Sequence, residues 1–205
     1  ALIHIMITAI ILAAGQSKRR GQHKMLLPWG KTTVLGQVIE TLQHAGIDQI
    51  VAVTGGARTQ VEIMVTKYEV LVVHNNNYED GEMLSSLQCG MQVLVDAIDA
   101  TSLSSNAALI CLGDQPQIQE GIITLIVDRF LKSGASLVVP SYRMRRGHPW
   151  LVSSAHWNEI LKMSTPDTPR DFLNHHSSDI SYINVDDSSI VSDLDTSEDY
   201  LRSRP

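Results

Sequence analysis

The 205-residue chain has little cysteine, no excess of positive charge and no apolar run long enough to cross a membrane. Each shortage removes a class of protein. Two cysteines, Cys89 and Cys111, cannot form a disulfide framework, so buried structural thiols in a reducing, cytoplasmic setting are expected. A formal net charge of -6 argues against a nucleic-acid partner, which normally demands a basic face. It leaves room for one nucleotide, whose phosphates need only a few local cations and backbone donors. The most apolar start, Ala1 to Leu12, lacks a basic leader, is broken by His4 and Thr8, and falls far short of the ~20 residues of a membrane helix. No membrane association is expected. The chain opens on Ala1, which points to processing or a truncated start, with Met6 an alternative one. Internal repeats are absent, as are the two common phosphate loops, G-x-x-x-x-G-K-[ST] and G-x-G-x-x-G.

What is present is an ordinary globular composition, 43% apolar and 19% charged, at a length suited to one core. The run Ile7 to Leu12 is continuously apolar, as a parallel strand buried on both faces should be. Leu35, Val38, Ile39 and Leu42 repeat at helical spacing before Gly46. Strands follow at 50–53, 70–73, 107–112 and 137–139. Between them lie a short helix at Val61, Met64 and Val65, a longer one from Leu84 to Ile98, and one lined by Ile122, Leu125, Ile126 and Phe130. This alternation predicts an α/β fold with a doubly wound, mostly parallel sheet in three layers. Beyond Ser141 shorter elements are expected: strands near 150–152 and 181–185, and helices near 156–162 and 170–175. We therefore expect a single domain over 1–205, with 1–140 binding a nucleotide and 141–205 acting as an acceptor-binding lid over the sheet edge.

The loop after the first strand reads Leu12-Ala13-Ala14-Gly15-Gln16-Ser17-Lys18-Arg19-Arg20-Gly21-Gln22-His23-Lys24 and continues to Pro28. Open α/β sheets bind ligands at the carboxyl ends of their strands. Ala13, Ala14 and Gly15 are small enough for a ligand to reach the backbone N–H groups, and Ser17 adds a hydroxyl. Arg19 and Lys24 can neutralise a triphosphate. On composition alone, a solvated basic loop explains the same residues equally well. Asp114, in Gly113-Asp114-Gln115-Pro116 at the end of the fourth long strand, can begin a Mg²⁺ site or can cap the following helix. Asp193 and Asp195 precede Thr196-Ser197-Glu198-Asp199, which also reads as a capping box opening the last helix.

The pattern L-A-A-G-x-S-x-R-M-G-x-x-K-x-L-L-P resembles the opening of the molybdenum-cofactor nucleotidyltransferases, with Arg20 standing where Met is usual. The resemblance continues through Gly113-Asp114-Gln115-Pro116, through Arg146-Gly147-His148-Pro149 and through Asp193-Leu194-Asp195-Thr196, in the family's order. It implies a Rossmann-like nucleotidyltransferase fold with Leu12, Ala13, Ala14, Gly15, Ser17, Arg19 and Lys24 around the nucleotide. Arg19, Lys24 and Asp114 would be the catalytic groups, and Asp114 and Asp195 the Mg²⁺ ligands. Asn75, Ser85 and Ser86 resemble the family segment that contacts base or ribose. Arg146, Gly147, His148 and Arg170 would face the acceptor, although a lone histidine is more often structural. The remaining histidines, His175 and His176 included, lack metal-ligand spacing and are expected at the surface. The implied reaction is CMP transfer from CTP to molybdopterin, Ala14 favouring the cytidine branch, which has Ala where the guanosine branch has Gly. GTP as donor, a sugar or polyol phosphate as acceptor, and a non-catalytic accessory role beside a molybdoenzyme are the alternatives. Partners would be CTP, molybdopterin and, transiently, a molybdoenzyme or its chaperone, with a monomer favoured.

Overall fold

A computed structural model describes residues 5–15, 18–19, 22–47, 49–79, 82–99 and 105–205, with residues 18, 19, 22, 82, 98 and 99 described by their backbone. The long elements are β1 (Ile7–Ala13), α1 (Val34–His44), β2 (Gln49–Thr54), α2 (Arg58–Val65), β3 (Leu71–His74), α3 (Glu82–Asp99), β4 (Ala107–Leu112), α4 (Glu120–Ser133) and β5 (Leu137–Tyr142). Shorter ones follow: β6 (Arg145–Arg146), β7 (Trp150–Ser153), α5 (Trp157–Lys162), α6 (Pro169–His175), β8 (Ile180–Asn184) and α7 (Ser197–Ser203).

Eight strands form one sheet, in the order β6-β5-β7-β4-β1-β2-β3, with β8 also paired to β5. β1 lies parallel between β2 and β4, Ile10 opposite both Val51 and Ile110. A central parallel strand is covered on both faces, so successive side chains must all be apolar. Ala9 and Ile11 accordingly join the helices α1, α2 and α4 in one core, whereas Ile10 and Leu12 join α3, α5 and α6 in the other. The result is the three-layer, mostly parallel α/β arrangement expected. No helix among the described residues is long and apolar enough to cross a membrane.

Two expectations need correction. The C-terminal portion is not a lid over the sheet edge. β7 inserts antiparallel between β4 and β5, pairing Trp150 with Ile110 and Leu151 with Val138, and β8 pairs in parallel along β5. An apolar triplet such as 150–152 signals a buried strand but carries no direction, so its place in the sheet was not readable. In α4 the buried stripe is Ile122, Ile123 and Ile126, and Leu125 is 50% exposed. Both stripes satisfy helical spacing. The sheet selects the one with two adjacent isoleucines.

The two α4 positions separate cleanly in experiment. Ile126→Ala removes a fully buried side chain and should lower stability by about 2–5 kcal/mol. Leu125→Ala should stay within about 0.5 kcal/mol of the parent, both measured by urea unfolding.

Candidate active site

The carboxyl ends of β1, β2 and β4 meet at one place because small residues let their backbones close. The Gly113 N–H donates to the Leu12 carbonyl, and a Cβ on Gly113 would stand 3.1 Å from Met25 Sδ and 3.2 Å from Ala13 Cβ. A Cβ on Gly55 would stand 2.4 Å from the Ala14 carbonyl oxygen and 2.9 Å from the Tyr78 ring, a spacing that no side chain tolerates. Gly15 has open space around it. Leu12, Ala14 and Gly15 thus form the lip of a cavity of about 540 Å³, within the range of small-ligand sites.

Lys24 and the three aspartates Asp114, Asp193 and Asp195 stand at this cavity. Lys24 opens a single 3₁₀ turn, Lys24–Leu26, after the loop. Its Nζ contacts Asp114 Oδ2 directly and lies 3.4 Å from Asp195 Oδ1. Lys24 and Asp114 are each 14% exposed, whereas Asp195 is 71% exposed, so the pair is largely dry on one side and wet on the other. Asp195 is delivered by its neighbour. Leu194 is buried with Trp29 and Val34, which turns Asp193 and Asp195 outward on the opposite side. The segment is held farther on, where Tyr200 Oη donates to the Pro28 carbonyl at 2.6 Å. The capping box of Thr196 and Asp199 starts α7 at this point, as expected.

Asp193 accepts from Gln115 Nε2 at 2.7 Å. Desolvation pushes its carboxyl above the usual range, and repulsion from Asp114 and Asp195 adds to this, against the Gln115 hydrogen bond and Lys24. Among the described residues, the acids at this cavity outnumber its one cation, Lys24. Oxygen ligands beside a cavity of this size with incomplete neutralisation suit a divalent ion such as Mg²⁺, which takes one or two carboxylates and completes its shell with phosphate and water. The three acids do not close their oxygens into a tight set among the described residues. Like charges spread until a cation gathers them. Asp114 is not the helix cap considered above, since α4 begins at Glu120 with Gln119 at its N-cap.

Other candidates fall into place around these groups. Asn75 is buried and donates to Ser85 Oγ at 2.8 Å and Ser86 Oγ at 3.1 Å. Ser86 lines the cavity and Asn75 holds it from behind. Ser17 and the Arg19 side chain lie outside the described residues; the Arg19 backbone pairs with Gln22. Sequence reasoning missed Tyr78, Glu79 and Met83, which also line the cavity. Tyr78 and Glu79 follow β3, and the rule that ligands gather at carboxyl ends of strands could have found them.

A second cavity of about 870 Å³ contains Arg146, Gly147, His148 and Arg170 and shares Met83 with the first. Arg146 is already engaged, Nε donating to Tyr182 Oη at 2.8 Å and Nη1 to Asn174 Oδ1 at 2.7 Å. Gly147 is required by the protein itself. A Cβ there would lie 2.4 Å from the Ile190 carbonyl oxygen, which accepts from the His148 N–H at 2.9 Å. Burial lowers the His148 pKa to about 4, so its ring offers hydrogen bonds without charge at neutral pH. Arg170 is exposed on the cavity wall, on α6, whose start is fixed by a capping box between Thr168 and Asp171. His175 is exposed as expected. His176 is not a surface residue: its side chain is 15% exposed and packs with His156 and Glu159.

Residues 9–180 match the MobA-like NTP transferase domain. The chain is 27% identical to the molybdenum cofactor cytidylyltransferase of Escherichia coli, covering 97% of this chain and 95% of that one. It is 29% identical to nicotine blue oxidoreductase of Paenarthrobacter nicotinovorans, covering 96% and 95%. Among solved structures, Rv0371c from Mycobacterium tuberculosis superposes with a TM-score of 0.78 at 26% identity, over 97% of both chains. The same protein in complex with manganese gives 0.71 at 27% identity, over 96% of this chain and 97% of that one.

The low pKa of His148 has a consequence for stability. Its folded pKa lies below the unfolded 6.5, so the unfolded chain takes up the proton first. Native stability should therefore fall as pH drops from 6.5 towards 4, by on the order of 3 kcal/mol from this residue. His148→Gln lacks that loss, and unfolding curves of both proteins at pH 7 and pH 4 should show the variant gaining on the parent in acid.

Proposed function

The chain belongs to the MobA-like NTP transferase domain family and is a nucleotidyltransferase; on that premise we propose that it transfers CMP from CTP to molybdopterin and releases pyrophosphate. The observation carrying this reading is the meeting of Asp114 and Asp195 at the Lys24 ammonium, beside the Ala14-Gly15 lip of the nucleotide-sized cavity. Identity to the E. coli cytidylyltransferase over nearly the whole chain supports cytidine as the base and the pterin as acceptor. Ala14 supports the same choice, since its buried methyl narrows the cavity wall where the guanosine branch has glycine.

In this reading Asp114 and Asp195 hold Mg²⁺, with Asp193 close enough to assist. The ion supplies neutralisation of the triphosphate and a fixed orientation for it. The backbone of Ala14 and Gly15 accepts close approach of phosphates, with Ser17 and Arg19 from the same loop. Ser86, steadied by Asn75, marks the nucleoside end. Lys24 turns its ammonium from the carboxylates to the reacting phosphates, offsetting charge as it develops. Arg146, Gly147, His148 and Arg170 receive the acceptor in the adjoining cavity, Met83 standing where the two cavities join. A terminal phosphate oxygen of the acceptor forms a bond to the α-phosphorus as the bond to the β-phosphate oxygen breaks. That oxygen is already ionised near neutral pH, so positioning and charge neutralisation suffice without a general base. The unit is a single domain over 1–205, monomeric and cytoplasmic, that hands its product to a molybdoenzyme.

A second reading keeps the chemistry and changes the acceptor. A choline-phosphate cytidylyltransferase from Haemophilus influenzae is 34% identical over 99 residues, so CMP transfer onto another phosphorylated small molecule has its own support. The oxidoreductase relative, 29% identical over 207 residues, brings in a different reaction. Pyrophosphate release separates all three. With CTP, Mg²⁺ and molybdopterin it should be robust, whereas GTP or a choline phosphate acceptor should give little. Release with no acceptor but choline phosphate would shift the assignment to the second reading, and none with any acceptor would remove nucleotidyl transfer.

Two variants test the residues. Lys24→Ala should lower kcat for pyrophosphate release by about a hundredfold, because a positioned cation is removed from the reacting phosphates. Ala14→Gly should relax the choice of CTP over GTP, read as the ratio of kcat/KM for the two nucleotides; an unchanged ratio would take Ala14 out of base selection.

A further inference from the structure

Away from both cavities, α5 and α6 enclose a second set of donors. Among the described residues, His156, Glu159 and His176 are the group whose ligand atoms all lie within 4.8 Å of one another. His176 Nε2 stands 2.8 Å from Glu159 Oε1, and His156 Nδ1 stands 3.8 Å from Glu159 Oε2. Ligands of a tetrahedral zinc ion at ~2.0–2.1 Å are about 3.3 Å apart, so small side-chain movements would close this set around a metal.

The far nitrogens of both rings make the arrangement more than a cluster of polar groups. His156 Nε2 is 2.8 Å from Ser136 Oγ, and His176 Nδ1 is 3.3 Å from Asp179 Oδ2. An imidazole that donates to an oxygen at one nitrogen presents a bare lone pair at the other. In the tautomers in which Ser136 and Asp179 accept from the far nitrogens, His156 Nδ1 and His176 Nε2, the two atoms that face Glu159, would offer their lone pairs to an ion. In the metal-free protein His176 Nε2 instead donates to Glu159. Metal-ligating histidines are oriented by such outer partners. Both rings are mostly buried, 14% and 15% exposed, while Glu159 is 46% exposed and leaves an entry path from solvent. The set joins the two nitrogens and one carboxylate that a borderline ion of the zinc type favours, with one position left for water.

We propose that His156, Glu159 and His176 bind one zinc-type divalent ion that ties α5 to α6. Its place in the fold indicates its role. Phe172 packs against the rings of both His156 and His176, and the same helix carries Arg170 and Asn174 on the wall of the second cavity. Fixing α6 at its C-terminal end holds Asn174 against Arg146, so the ion stabilises one wall of that cavity and takes no part in the reaction.

The test uses the full chain stripped of metal by a chelator. Zn²⁺ titrated by calorimetry should bind at one site per chain and raise the Tm, and Co²⁺ should give the visible absorption of a tetrahedral site. Glu159→Gln, at a partly exposed position that leaves the packing intact, should weaken zinc binding by more than a hundredfold. Ser136→Ala removes only an outer partner and should weaken it by about 10–100-fold. Asp195→Asn should leave the zinc affinity as it is. Absence of saturable binding, or binding indifferent to Glu159→Gln and Ser136→Ala, would overturn the proposal. So would loss of binding in Asp195→Asn, which would place the zinc at the other acids.

Discussion

The ammonium of Lys24 sits between a carboxylate from the end of a central strand and one from the C-terminal segment. These two parts of the chain are far apart in sequence, and like charges from them repel unless a cation lies between. Burial on the Asp114 side strengthens the attraction, because the pair is only 14% exposed there. Asp193 stands beside them, its carboxyl pushed up chiefly by desolvation, with repulsion from Asp114 and Asp195 adding to it. A site so charged suits a further cation and, with it, the anionic ligand of the proposed reaction. The Lys24 ammonium holds the two acids together at one point.

Packing places the electrostatics. Leu194 buries against Trp29 and Val34, and Tyr200 donates to the Pro28 carbonyl, so the C-terminal segment lies along the loop that carries Lys24. Glycines do the same for the strand ends: Gly55 and Gly113 lack the Cβ atoms that would force β1 from its neighbours. The second cavity rests on the same economy of space, with Gly147 admitting the Ile190 carbonyl. Both cavities open on the side of the sheet where its central parallel strands end, and Met83 borders each.

Much of this could be read from the sequence, and the reasons are specific. β1, β2 and β4 are continuous apolar runs because both faces are covered, and such runs are hard to mistake. The loop from Leu12 to Lys24, the Gly113-Asp114 turn and the Asp193-Leu194-Asp195 stretch carry local patterns, and the fold sets Lys24 and these acids about one cavity. Direction of a strand is not local, and β7 was invisible as an antiparallel insertion for that reason. Helical spacing alone left two stripes open on α4. Tyr78 and Glu79 have no motif and Gln115 fills the variable place of Gly113-Asp114-Gln115-Pro116, so their relevance arises only when the ends of β3 and β4, two strands apart, face the same site. His156 precedes α5 and His176 follows α6, so no spacing rule joins them, and only the tertiary fold does.

Manganese binding without nucleotide, followed by electron paramagnetic resonance, tests the exchange of cations most directly. Lys24→Met removes the resident ammonium and should tighten Mn²⁺ binding, while Asp114→Asn and Asp195→Asn should each weaken it strongly. Weaker binding in Lys24→Met, or unchanged binding in the two aspartate variants, would contradict a shared cation site at these acids.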